Sequence, residues 1–281
     1  MDQTQRQIDA TALAHVLPLD RTQLRGFEKF TVPFMESINT RPWIKRVLHL
    51  TFGHANALWM RATSGRMWHM PNPEVIRTLD APHGLILVPN HRSFFDQFIA
   101  GSMLLYYSKV QKRVAFPTRA DFFYTKPQGL LIMIGISGCS MWPPVFRDDR
   151  RRELNPQGLQ QMAAYLQSGS VLGIHPEGQR NKGDDPYSQL PARAGLGQLV
   201  QVCHPDVVIL PCFIAGLTNR FFYEITRGFR LRNRGPAVRV WWGAPVRAGD
   251  LRQDLDAQGI SDRVMQIVSD LGLRDKAIHQ P

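Results

Sequence analysis

From residue 85 onward the chain alternates short apolar runs with stretches of helical periodicity, and that alternation limits the folds open to it. LILVPN (85–90), KRVAFPT (112–118), GSVLGIHPEG (169–178), VVILPCFIAG (207–216) and AVRVWWGAP (237–245) read as strands, brief and rich in β-branched residues. Between them, 94–107, 157–167, 194–203 and 261–271 carry apolar residues at helical spacing, as Leu159, Met162, Ala163 and Leu166 do. Strands alternating with helices predict an α/β fold: a mixed, mostly parallel sheet flanked by helices. In such folds reactive groups gather at the loops leaving the strand ends. At 281 residues and 43% hydrophobic content the chain buries a large core. It divides into a helical, basic N-terminal region over 1–75 and an α/β domain over 76–281.

The N-terminal region has an uneven charge. Ser37 to Pro73 contains no Asp or Glu, whereas Arg41, Lys45, Arg46, Arg61 and Arg66 are basic. Ile44, Val47, Leu48, Thr51, Phe52, Ala55, Leu58 and Trp59 recur at helical spacing, so an apolar stripe runs beside a basic face. Such a helix packs its stripe on the protein's own core, or lies in a membrane interface with its basic flank on anionic lipid. Trp43, Trp59 and Trp68 suit the headgroup level. No run of about 18 apolar residues exists to span a bilayer, and the polar start MDQTQRQIDA has no signal-peptide core. The expected location is the cytoplasmic face of a membrane, held peripherally.

Net charge narrows the partners. A balance of +11 points to an anionic one: phospholipid, nucleic acid, or an acidic substrate or carrier. The arginine-dense RGFRLRNRGPAVRV (227–240) favours nucleic acid, but no helix-turn-helix, zinc-finger spacing or RNP-like stretch accompanies it, and no nucleic-acid partner is expected. Cys139, Cys203 and Cys212 show no C-x-x-C spacing and read as reduced, buried thiols. The histidines lack metal-ligand spacing, so no metal and no resident cofactor are expected.

In LILVPNHRSFFDQF (85–98), His91 and Asp96 stand five positions apart across a strand exit and a helix start. Along a regular helix their side chains would diverge by about 140°. They meet only if His91 lies in the loop and Asp96 in the first helical turn. Ser93 and Asp96 form a capping-box spacing, which favours Ser93 as the helix cap over its rival reading as a nucleophile activated by His91. The plainer alternative leaves Asp96 as a cap and His91 as a surface residue. A second strand exit bears HPEGQRNKG (175–183), where Pro176 and Gly178 set a turn carrying Glu177 and Arg180. A guanidinium beside exposed amides suits a phosphate, with the carboxylate orienting it.

The ordered pair NHRSFFD and HPEGQR, with VRVWWGAPV closing the region, resembles the glycerolipid acyltransferase family over roughly 76–247. That family comprises the glycerol-3-phosphate and lysophosphatidic acid acyltransferases, with N-H-x-S-x-x-D and F-P-E-G-T-R blocks. His175 stands where the family usually has phenylalanine and Gln179 where it has threonine, and Arg147 in PPVFR fits the intermediate block's arginine. The resemblance implies transfer of a fatty acyl group from acyl-CoA or an acyl carrier protein to a hydroxyl of a lysophospholipid or glycerol phosphate. It implies His91 as general base, Asp96 as its orienter, and Arg147, Glu177, Gly178 and Arg180 at the acceptor. Acceptors without phosphate, and a catalytically idle membrane-surface module, are the alternatives. Opening amides of the 94–107 helix would receive the oxyanion, and FFDQFIAGSMLLYY would wall the acyl groove or serve as plain core.

Overall fold

Strand β2 (Leu85–Pro89), wholly buried, is the axis of the sheet. Our computed structural model describes residues 18–55, 58, 61, 68–110, 113–227 and 235–279. Five Leu, Ile, Val and Pro side chains in a row need apolar cover on both faces, which a central parallel strand receives. On one side β2 pairs in parallel with β6 (Val171–Gly173), on the other with β7 (Val208–Ala215). The full order is β1-β8-β7-β2-β6-β3, with β1 at Trp68–His69, β3 at Val114–Ala115 and β8 at Val238–Trp242. β7 and β8 run antiparallel, as do β7 and β9 (Val246–Arg247), so the sheet is mixed but mostly parallel. A two-stranded parallel pair, β4 (Thr118–Arg119) and β5 (Pro144–Val145), lies apart.

Helices cover the sheet as the periodicity requires. They include α1 (Glu28–Thr40), α4 (Asp96–Tyr107), α7 (Asn155–Gln167), α8 (Gly195–Val202) and α11 (Ala257–His279). The strand runs read from sequence all contain strands, and the helical stretches all contain helices. Missing from that reading are α1, interrupted by Pro33, and α6 (Pro127–Gly135), too apolar all round to show a stripe. Val32, Met35 and Ile38 of α1 join the same core as β2, β6 and β7. Cys139, Cys203 and Cys212 are free and buried.

The basic N-terminal helix departs from expectation. α2 (Pro42–Leu48) runs into a wider π-type turn, His49–Gly53. Ile44 and Leu48 pack on the core, whereas Trp43, Val47 and Leu50 point outward, 69%, 53% and 61% exposed. The single stripe read from the sequence is therefore two stripes on different faces. Lys45 is not on the basic face at all: it is buried, and its Nζ donates to Cys139 O and Ser140 Oγ, both at 3.2 Å. Burial lowers its pKa to about 7. The long aliphatic stem makes that burial possible, and the hydroxyl and carbonyl at its end satisfy the amine. Arg61, though exposed, lays its guanidinium over the Tyr106 ring at the far end of α4, 5.1 Å from the centroid. Trp68 sits in β1, packed on the core, while Trp59 and Arg66 lie outside the described residues. Among the described residues no helix is long and apolar enough to cross a membrane.

The arginine-dense segment is also partly internal. Arg227 is buried and donates to Glu224 and to Gly216 O, and Arg239 forms a two-armed ion pair with the buried Asp275 of α11. These arginines hold the fold together; residues 228–234 lie outside the described set.

The burial of Lys45 yields a sharp contrast between neighbours. Lys45→Glu puts an unpaired carboxylate against a carbonyl and should cost about 3–5 kcal/mol, roughly 10 °C in Tm for a chain of this size. Arg46→Glu, on the exposed side, should stay within about 0.5 kcal/mol. Thermal melts of the two variants check this.

Candidate active site

The C-terminal ends of β2, β6 and β7 open on the same edge of the sheet, and the loops leaving them meet there. The β2 loop carries His91. Its Nδ1 lies 3.1 Å from Oδ2 of Asp96, the first residue of α4. The same oxygen accepts the N–H groups of Arg92 and Ser93, each at 2.8 Å. An oxygen that already accepts two amides is an acceptor for the ring as well, so His91 carries its proton on Nδ1 and keeps Nε2 basic. Ser93 is 99% buried and its Oγ accepts from Phe95 N at 3.3 Å. Asp96 returns a bond to Ser93 N, so the pair forms a tight turn just before the helix, whose N-cap is Phe95 with no side-chain cap bond. The Ser93 hydroxyl serves that turn, in place of the capping box expected of it. Since Arg92, Ser93 and Phe95 amides are engaged here, those three are not available to an oxyanion.

The turn after β6 works differently from its expected role. Glu177 is 2% exposed and does not hold Arg180. Its Oε1 accepts His91 N at 2.6 Å and its Oε2 accepts Leu190 N at 2.8 Å. The backbone offers amides that must be satisfied once buried, and the carboxylate meets two of them. Both carboxylate oxygens of Glu177 are thus engaged by the backbone, and it forms a clasp between loops. Asn181 N closes the same junction on His91 O at 2.7 Å. Gly178 adopts φ +68°, the left-handed region, and a Cβ there would lie 2.8 Å from Arg193 Cδ, so glycine is required. Arg147 donates to Gly178 O. Arg119 and Arg193 are near enough to Arg147 to lower its pKa, behind burial as the larger cause. Arg147 and Arg193 thus meet at this turn, with Arg119, bonded to Asp121, within electrostatic reach of Arg147; of the three, the sequence singled out only Arg147. Arg119 and Arg193 sit in PTRAD and LPARAG, which bear no signal of their own. Arg180 is exposed on the same turn, and its charge helps to keep His91 unprotonated.

A further aromatic contact was not anticipated. The His175 ring stacks on that of His91, centroids 3.7 Å apart and planes within 13°. Burial holds both imidazoles well below the usual histidine pKa, aided at His91 by Arg180 and at His175 by His91. Burial acts oppositely on the acids, raising Asp96 and pushing Glu177 up to about 7. The neutral imidazole is the form that accepts a proton, and the ionised Asp96 carboxylate stabilises the imidazolium that results. His91, Asp96 and His175 do offer three ligand atoms within 4.8 Å of one another. Parallel rings point their in-plane lone pairs side by side, however, and do not converge on one ion about 2.0–2.1 Å from each nitrogen.

A family model described as Acyltransferase matches residues 70–215, just over half of the chain, and spans both loops. The chain belongs to the acyltransferase family. The crystal structure of PlsC from Thermotoga maritima, titled a 1-acyl-sn-glycerophosphate (LPA) acyltransferase, is similar in fold. The identity is 17%, the TM-score 0.51, and the match covers 99% of this chain and 98% of that one. No curated protein matches the sequence significantly. In this acyltransferase the structure brings His91, Asp96, Glu177 and Gly178 together, places Arg147 against the Gly178 carbonyl, and leaves Arg180 at the rim.

The raised pKa of Glu177 has a definite thermodynamic sign. A carboxyl whose folded pKa exceeds its unfolded value stabilises the fold least when ionised, so its contribution declines as pH rises from about 4.5 to about 7. Glu177→Gln removes that titration. The Tm difference, variant minus wild type, should therefore move in the variant's favour across that window; a pH series of thermal melts measures it.

Proposed function

We propose that this acyltransferase moves a fatty acyl group from acyl-CoA or acyl carrier protein to a hydroxyl of a lysophospholipid or glycerol phosphate. The observation that carries the reading is the His91 Nδ1 to Asp96 Oδ2 contact of 3.1 Å at the exit of the central strand. His91 Nε2 takes the acceptor's hydroxyl proton as that oxygen attacks the thioester carbonyl carbon. The C–O bond forms, the C–S bond breaks, and the imidazolium returns the proton to the leaving thiolate. Asp96 keeps the tautomer and stabilises the imidazolium without taking the proton.

Support for a phosphorylated acceptor comes from Arg119, Arg147 and Arg193. Like charges crowd at the Gly178 turn, with Asp121 the acidic group bonded to Arg119 there. Crowded guanidiniums are relieved by an anion with several acceptor oxygens, and a phosphate monoester is one. An aromatic cluster of Phe94, Phe95, Phe98 and Phe221 adjoins the His91 loop; Phe95 and Phe98 are buried in it, and the half-buried Phe94 and Phe221 offer apolar surface to an acyl chain. Most of α4 is plain core.

Peripheral attachment to an anionic membrane belongs to the same reading. Trp43, Val47 and Leu50 form the outward stripe on α2 and the turn after it, with exposed Arg41 and Arg46 nearby. Exposed apolar side chains rimmed by cations suit a lipid surface. Lys45 has no part in it.

The central test is purified protein with acyl-CoA or acyl carrier protein and a panel of hydroxyl acceptors, read by mass spectrometry of lipid products. His91→Ala should lower turnover by about 10² to 10⁴ with an unchanged Tm; full turnover in that variant refutes the mechanism. For docking, replacing Trp43, Val47 and Leu50 by serine should weaken binding to phosphatidylglycerol-containing vesicles and lower activity on bilayer acceptor. Activity on a short-chain, water-soluble acceptor should be spared, as kinetics on both substrates will tell.

A further inference from the structure

His175 has no task in the chemistry above, yet it is the closest neighbour to the face of the base. We propose that His175 is a positioning residue for His91: its neutral ring is a fixed plate that sets the plane of the base, and the two rings together carry no more than one positive charge. The proposal rests on the acyl-transfer reading for its purpose, though not for its physical content.

The plate is fixed by its own bonds. His175 Nδ1 lies 3.2 Å from Pro89 O, and a carbonyl only accepts, so the proton sits on Nδ1. Pro89 ends β2, a wholly buried strand at the middle of the sheet, which ties the ring to the core of the molecule. His91 is then held on two sides. Asp96 fixes one edge of its ring through Nδ1, and His175 fixes one face at 3.7 Å. An edge and a face together determine where Nε2 points; the Asp96 contact alone leaves the ring free to tilt about it. A general base works only while its lone pair is aimed at the proton it removes.

Charge makes the pairing one-sided. When His91 takes the acceptor's proton, the cation lies on the π-face of a neutral ring, which attracts it. If His175 were charged as well, two cations would face each other 3.7 Å apart out of water and repel strongly. One carboxylate, Asp96 on α4, faces both rings. The other groups about them are Arg92 beside Glu177, Arg180 near His91, and Glu224 of α9 (Phe221–Thr226) and Cys212 of β7 near Asp96. Burial works in the same direction, against charge on either ring. The phenylalanine of the resembled motif would supply a plate, but neither the bond to Pro89 O nor a second proton acceptor.

The experiment uses the full-length protein with its imidazole nitrogens labelled with ¹⁵N, titrated from pH 8 down to acid unfolding, alongside kinetics of His175→Ala and His175→Phe. At no pH where the protein is folded should both rings be cationic, and both should show the Nδ1–H tautomer at pH 8. His175→Ala should lower kcat by about 10- to 100-fold with KM within about threefold, the signature of a misaimed base. His175→Phe, close in volume and restoring the plate, should recover kcat at pH 8 to within about fivefold. Two rings cationic at the same pH in the folded protein would overturn the proposal. So would a folded His175→Ala with wild-type kcat and unaltered His91 nitrogen shifts. The titration needs no substrate, so its result separates the two readings. Shared-proton behaviour without transfer from any donor refutes acyl transfer, and the purpose given to His175 with it. Active enzyme with independently titrating rings refutes the role of His175 alone.

Discussion

Glu177 Oε1 reaches His91 N and Glu177 Oε2 reaches Leu190 N, so a single buried carboxylate joins the strand exits of β2 and β6 and the strap that follows. The arrangement of the remaining groups depends on this bridge. Arg92, held beside His91, donates to the carbonyls of Asp185 and Gly183 in the same strap, and Asn219, after β7, donates to Asn181 O. At the strap's far side Tyr187 stacks on Phe213 and donates to Asp275. The loops that carry the site are thus fastened to one another and to α11, and a loop so fastened presents its side chains with the accuracy that proton transfer demands.

Burial is costly to the groups it assembles, and the costs run in opposite directions. Asp96 and Glu177 resist ionisation, which penalises the fold as pH rises through their window. His91 and His175 resist protonation, which penalises the fold as pH falls below the ordinary histidine range. The backbone amides on Asp96 and Glu177 offset part of the first cost. The outcome is a site in which desolvation opposes the charged form of both acids and favours the neutral form of both imidazoles. Strain of this kind belongs to functional sites, where a uniformly comfortable arrangement would be inert.

The N-terminal helix shows how a composition argument meets its limit. Five basic residues and an apolar stripe between 41 and 66 describe one amphipathic face in sequence. The fold splits that face, because Ile44 and Leu48 dock on the core and draw Lys45 in with them. Trp43 and Val47, on the opposite side, become the outward stripe with Leu50. Helical periodicity locates apolar residues by angle, but only the neighbouring turn at Cys139 and Ser140 decides which angle faces inward.

Much of this protein was legible in the sequence because it depends on local chemistry. Alternating apolar runs and helical periods marked the α/β sheet, since a strand enclosed on both sides must be apolar throughout and a covering helix must carry a stripe. Proline after LILV and the Ser93–Asp96 spacing placed His91 in a loop and Asp96 on the helix start, which is why that pair could be named before any coordinate was known. Tertiary structure decided what depends on chain segments far apart in sequence: Glu177 satisfying an amide 86 positions away, His175 lying on His91, Arg119 and Arg193 joining Arg147, Lys45 turning inward. Each follows from desolvation at a place that several distant segments create together, and no single segment carries the information that its polar groups will be buried there.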